Sequence, residues 1–263
     1  IRDADGPWTT TGNWVSGSLP TLDKIAVIDV PANITVTLQQ CPSCSTQIAG
    51  IECAETFSFV NGGLTLSGPS VFHGAYVAGA GSGAFLNGAG TVTFNGPVTL
   101  NGATLGSNVP GGAITLNAGM TIGTQFAAQL FGRTMTNANN GVIAITGTGN
   151  FSRGFAAILN NPSGSLFEIR TDADCPEALS PSGTVINNAG TFRKSAGTGL
   201  STVGGTFNNT GVVEVQTGTL QLPGGTGSGT FTVSPGAALE FAPTFQIPQN
   251  ITGTVIVPFG GAL

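Results

Sequence analysis

The chain has 263 residues and a net charge of −5. Only 7% of its residues are charged, and 42 are Gly, against averages of about 25% and about 7%. It is 40% hydrophobic, the reverse of a disordered segment, so it should fold with Thr, Ser, Asn and Gln carrying its solubility. Seven basic residues cannot line a phosphate-tracking groove, so no nucleic-acid partner is expected, and no apolar run reaches the ~20 residues of a membrane span.

At the start of the chain, Ile1-Arg2-Asp3-Ala4-Asp5 reads as a mature end left by processing, or simply as a boundary, and not as a signal peptide. Residues 1–60 read as a separate N-terminal head. Cys41, Cys44 and Cys53 lie within it and Cys175 lies far away, a pattern that suits disulfides in an oxidising compartment and an exported protein. Cys41-Pro42-Ser43-Cys44 has redox spacing, but it lacks the strand-then-helix context of a thioredoxin-like motif, so a disulfide is expected. With one bridge formed in the head, two outcomes remain for the other two cysteines. Either the head folds back and pairs with Cys175, which is favoured, or the two thiols join neighbouring subunits. A bridge needs Cα atoms within ~7 Å.

From residue 61 to 263 a rod is expected. Short alternating runs such as Ile34–Leu38, Leu64–Leu66, Val98–Leu100, Ile114–Leu116 and Val212–Val215 are rich in β-branched residues and are bounded by Gly, Asn and Pro. Between 85 and 106 three such runs, Phe85-Leu86, Val92–Phe94 and Val98–Leu100, are each followed by Asn-Gly. Three short strands and three corners in about 22 residues describe one coil of a triangular parallel β-helix. Asn-Gly also marks hairpins, so an antiparallel meander is the alternative. Helical character is confined to Thr124–Phe131.

A bulky apolar residue followed by Asn, once by His, recurs at Phe72-His73, Phe94-Asn95, Leu116-Asn117, Leu159-Asn160, Ile186-Asn187 and Phe207-Asn208, with a weaker copy at Asn137–Asn140. The recurrence predicts a ladder of His73, Asn95, Asn117, Asn160, Asn187 and Asn208. The preceding apolar residue would point inward, and Asn would tolerate the left-handed backbone of a tight corner. His73 then reads as a ladder member, not as a base.

The acidic cluster Glu168, Asp172, Asp174 and Glu177, with Arg170 inside it, falls where the repeat lengthens. It reads as an inserted loop around 170–182. A solvated surface loop is expected there, ahead of a structural Ca²⁺ or paired catalytic carboxylates, with Asp172, Asp174 and Glu177 as the place where a partner would attach. No cofactor, metal or catalytic residue is expected. Thr65, Thr99 and Thr115 are unevenly spaced, which argues against an ice-binding array.

Trp8, Gly12-Asn13-Trp14, Gly17, Leu19-Pro20-Thr21, Asp23 and Ala26-Val27-Ile28 resemble the N-terminal segment of secreted bacterial surface β-helix proteins of the autotransporter-passenger and adhesin type. Phe207–Val215 and Gly218–Leu222 resemble their repeat phrase. The resemblance implies an extracellular, cell-surface β-solenoid whose head caps the open first coil. It identifies no single activity. The expected function is non-enzymatic: structural or adhesive, by self-association or glycan contact, with head-to-tail polymerisation favoured by the apolar segment Thr254–Phe259 before Leu263. The alternative is a carbohydrate-binding or polysaccharide-processing β-helix protein, with Trp8, Trp14 and Tyr76 as sugar platforms, although the two tryptophans are expected first to pack the cap.

Overall fold

Alternation at period two sends successive side chains to opposite sides of a strand. The computed structural model shows what the short runs build from that alternation. It describes residues 5–41, 43–79, 83–123, 125–178, 183–246 and 250–256. A first face of eleven strands starts at Ile25–Ile28 and passes through Gly50–Cys53, Ser70–Phe72 and Val92–Phe94 to Phe245–Gln246. A second face runs from Gly6–Pro7 through Thr35–Gln39, Val98–Leu100 and Val212–Val215 to Ile251–Thr252. The third begins at Ser45–Ile48 and includes Ala84–Asn87 and Phe151–Gly154. It crosses the bridges Arg153 to Glu177 and Cys175 to Val203, then continues through Thr219–Leu222 to Val255–Ile256.

Each coil therefore gives one strand to each face, and the pairings along all three faces are parallel. The protein is a β-solenoid of about 22 residues per turn. The antiparallel meander is excluded. No α-helix occurs among the described residues, where the one helical turn is Thr11–Asn13. Ala128–Phe131, read as part of a helical stretch, is a third-face strand; Thr124 lies outside the described residues.

The interior is built of columns. Val98, Met120 and Ile143 stack in register, as do Leu100, Ile122 and Ile145, and all six are buried. Aromatic rings fill the wider levels: Phe72 stacks on Phe94 at 5.1 Å and Phe167 on Phe192 at 4.8 Å. At the N-terminal end Trp8 and Trp14 meet edge to face at 4.7 Å, with Phe57 beyond Trp8 at 5.9 Å. The Trp14 indole N–H donates to the Trp8 carbonyl at 2.9 Å. Together these rings plug the end of the apolar lumen.

The expected boundary at residue 60 does not separate two bodies. Strands 25–28, 35–39, 45–48 and 50–53 pair in register with the coils that follow. The described part of residues 1–60 is the solenoid's own first turns plus the tryptophan plug. A column of in-register hydrogen bonds gives the chain no reason to break there.

Asn-Gly corners serve two physical needs. Gly88 and Gly102 adopt φ of 99° and 91°, the left-handed region that glycine tolerates. Gly96 does not, but a Cβ placed there would come within 2.1 Å of the Gly74 carbonyl oxygen of the coil below. Close stacking, not backbone sign, selects that glycine.

Candidate functional site

The asparagines are the largest polar assembly, and they do not form the single ladder that the recurrence predicts. His73, Asn95, Asn117 and Asn139 make one outward row. The Asn95 amide donates to His73 Nδ1 at 3.1 Å, Asn117 to Asn95 at 2.7 Å and Asn139 to Asn117 at 3.0 Å. Asn160, Asn187 and Asn208 make a second, with amide contacts of 3.0 and 3.1 Å, and Thr226 donates to Asn208 at 3.1 Å. The rows differ because Asn160 pairs with Thr136, inside the strand, whereas Asn95 and Asn117 follow strands that end at Phe94 and Leu116. The left-handed corner predicted for these asparagines is also corrected: only Asn139 and Asn140 have positive φ, at 52° and 58°. Amide-to-amide bonding selects Asn in the rows.

A third ladder runs inside the molecule, from Asn137 through Asn161 and Asn188 to Asn209, each at most 1% exposed. The amide contacts are 3.0, 2.7 and 2.7 Å. The same amides also donate to backbone carbonyls at the corner between the first and second faces, including Gly141, Thr191 and Val212. Leu116 occupies the position below Asn137, so the Asn137 side-chain oxygen Oδ1, at the start of the ladder, has no partner. The sequence signal for this ladder was the doubled Asn-Asn of the later repeats.

Three cations also lie in the interior. Lys194 is fully buried and donates to the Thr171 and Ala196 carbonyls, the Ser201 hydroxyl and the Asp172 carboxylate, the last at 2.9 Å. Arg153, also fully buried, holds the carbonyls of Cys175 at 3.0 Å and Gly204 at 2.7 Å. Burial pushes its pKa down, and Glu177 nearby opposes that. Arg133 binds the carbonyls of Gly90 and Gly88. Lys194 ties oxygens of its own and the preceding coil, Arg153 those of the next two coils, and Arg133 reaches back two coils, a task that composition alone did not reveal.

The acidic cluster is dispersed. Glu168 stands in the outward column of the second face, between Ala144 and Arg193. Asp174 accepts the Thr202 backbone N–H at 2.7 Å, and Glu177 accepts those of Gly183 and Thr184 at 2.7 and 2.9 Å. The segment read as an inserted loop supplies its coil's contribution to the third face, with Ala173 and Cys175 buried. Residues 179–182 lie outside the described residues. No group of three His, Cys, Asp or Glu side chains among the described residues could hold a metal ion.

Burial pushes Glu168 up, but hydrogen bonds from Arg170 and Ser195 and the charges of Arg170 and Arg193 outweigh it, so its carboxyl lies below its ordinary range. Asp172 is lowered chiefly by its bond to Lys194. Glu177 is raised by burial and lowered further by Thr184 and Gly183. All three favour the ionised form when folded. The unfolded chain therefore takes up protons first as pH falls through about 4, and their contribution, fully present above that, is lost as pH falls through the native values. The melting temperature should hold from pH 8 to about 5 and drop below about 4.5. A melting temperature that is level or rising between pH 4.5 and 2 would show that these contacts contribute nothing.

Cys41 and Cys44 form a disulfide. Cys53 and Cys175 are unpaired, on different faces, and fully buried. The fold-back bridge is thus overturned, because the head does not fold back and several coils separate the two. The intersubunit link fails too, because neither sulfur reaches the surface. Burial raises the thiols to about 11 for Cys53 and about 12 for Cys175.

Tyr76 is fully buried, and Trp8 and Trp14 are 1% and 7% exposed, so none offers a face to a sugar ring. Thr65, Thr99 and Thr115 stand on three different faces, which explains their uneven spacing, while Thr93, Thr115 and Thr136 do share one column. No described helix is long and apolar enough to cross a membrane. Searches against protein-family models, curated proteins and solved structures found no match.

Proposed function

We propose that this chain is a non-enzymatic, extracellular structural or adhesive rod that associates head to tail with copies of itself at a cell surface. The observation that carries this reading is where the scarce charged groups go. Asp172 and Asp174 accept bonds from the next coil, Glu168 and Glu177 accept from Arg170 and Thr184 nearer along the chain, and Arg153 and Lys194 donate into the backbone of the stack. Acid–base chemistry needs groups that are poised and reachable; these are committed to structural contacts.

The ends support self-association. Neither Ile25–Ile28 nor the stretch from Phe241 to Ile256 contains a charged residue, although charge is the usual protection of an exposed strand edge. Of the apolar segment that suggested polymerisation, Val255–Ile256 is an edge strand, and Val257–Leu263 lies outside the described residues. An open-ended contact of this kind generates a fibre. Negative-stain electron microscopy of the concentrated protein should show rods longer than one molecule. Particles that stay single at every concentration would remove the polymeric reading.

A further inference from the structure

The two ends of a solenoid are the two halves of one interface, cut open. At the N-terminal end the halves are treated differently on each face. On the second face Gly6–Pro7 pairs with Val36 and Thr37, and the Trp8 N–H donates to the Thr37 carbonyl at 2.7 Å, so that edge is covered. On the third face the edge strand Ser45–Ile48 turns Ser45 and Gln47 to solvent. On the first face Ile25–Ile28 pairs, among the described residues, only with Gly50–Cys53. There Ile25 and Val27 are 58% and 53% exposed.

Backbone geometry shows which groups remain free. The Lys24 and Ile28 carbonyls accept from Ala49 and Ala54 of the next coil. Alternate residues of a strand direct their peptide groups to opposite sides, so the N–H and C=O of Ile25 and Val27 point away from the stack. Beside them lies a groove of about 420 Å³, lined by Trp14, Leu19, Pro20, Ile25 and Val27 together with Lys24 and the hydroxyl residues Ser16, Ser18 and Thr21. An apolar strand edge with its hydrogen-bonding groups free and a groove alongside is the arrangement that accepts an added strand.

Register identifies the occupant. One outward column starts at Val27 and passes through Glu52, Val71, Thr93, Thr115, Thr136, Asn160, Asn187, Asn208 and Thr226 to Gln246 without a break. Among the described residues Phe245–Gln246 pairs only with Gly225 and Thr226, which makes it the opposite edge of the same sheet, running in the same direction. Ten steps of ~4.8 Å separate the two edges within one molecule, so they can meet only between molecules. We propose that Ile25–Ile28 receives the Phe245–Gln246 strand of a second copy by parallel strand addition, with Gln246 of one copy beside Val27 of the next. This inference rests on the head-to-tail reading and specifies its contact.

Two variants test it. Val27→Pro removes an outward N–H without touching the pairing to Gly50–Cys53, and circular dichroism checks that the fold survives. The pair V27C/Q246C, oxidised at pH 8, should give a ladder of trimers and larger species on non-reducing gels, since the buried native thiols stay silent. Val27→Cys alone should stop at dimers. Wild-type rods that shorten at least tenfold in Val27→Pro, together with the double-cysteine ladder, support the contact. Rods that persist in folded Val27→Pro with no ladder overturn this contact and leave polymerisation standing. Wild-type protein that stays monomeric and yields no ladder overturns both.

Discussion

Replacing Asn188 by Asp should lower the stability of the rod by about 3–5 kcal/mol, the cost of leaving a buried charge uncompensated. The Asn188 amide donates to Asn209, Gly190 and Val212, and its carbonyl accepts from Asn161. Aspartate keeps the acceptor and removes every donor, setting a carboxylate against three oxygens where water cannot reach. Asn188→Ala leaves the same oxygens unpaired without the charge and should cost about 2–3 kcal/mol. The comparison that isolates the interior ladder is Asn187→Ala, one residue away. Asn187 faces solvent and bonds Asn160 and Asn208 only in its outward row, so water replaces what is lost and the change should stay within about 1 kcal/mol. Urea unfolding followed by circular dichroism gives all three values. Equal losses for Asn187→Ala and Asn188→Asp would mean that burial of the ladder does not matter.

These neighbours also show how far the sequence could be read. Alternation and punctuation were enough for three faces, because a period of two and a corner after every few residues are local properties. The coil at 84–100 has its strands where the three runs lay. Register is not local. The recurrence of Asn after a bulky residue looked like one ladder because identical phrases were aligned by letter. The chain aligns them by depth, and Leu116 pairs with Asn137 while Thr136 pairs with Asn160. A two-residue offset keeps the same face outward and so leaves no trace in the hydrophobic pattern. The acidic cluster misled for a related reason: length added to a repeat was read as an excursion, but Cys175 and Glu177 are the third face of their coil.

Composition does not show that residues 1–60 continue the rod. Cysteines and tryptophans set residues 1–60 apart in the sequence, but the pairing of Ile25–Ile28 with Gly50–Cys53 and of Thr35–Gln39 with the strand beginning at Thr56 makes them ordinary coils. Only the tryptophan plug and the covered second face are specialised. Of the two uncovered edges at the N-terminal end, the first-face one therefore stands out as the apolar one, a contrast that appears only once register is known.

Lys194→Ala should be the other large loss, about 2–4 kcal/mol, from the cavity and the buried oxygens left without a donor. Lys194 occupies an inward column of the second face, between Ile169 and Val215, where every rule of side-chain placement calls for an aliphatic residue. Its ammonium group has three hydrogens and faces four oxygens: those of Thr171, Ala196, Ser201 and Asp172. Truncation leaves a cavity and strips the donor from these oxygens together. Lys194→Met separates the two effects, because it refills the volume and restores no hydrogen bond; it should recover about half the loss. Asp172→Asn should cost less than either, because the Asp172 side chain is 46% exposed and water screens its charge. The order Ala, Met, Asn, measured by urea unfolding at pH 7, thus reports how the coil of Thr171 and Asp172 is held to the coil of Lys194. If Lys194→Met were as stable as the parent, packing alone would suffice at this level and the lysine would need another explanation. If instead Asp172→Asn matched Lys194→Ala, the ion pair, and not the set of backbone oxygens, would be what the buried ammonium serves.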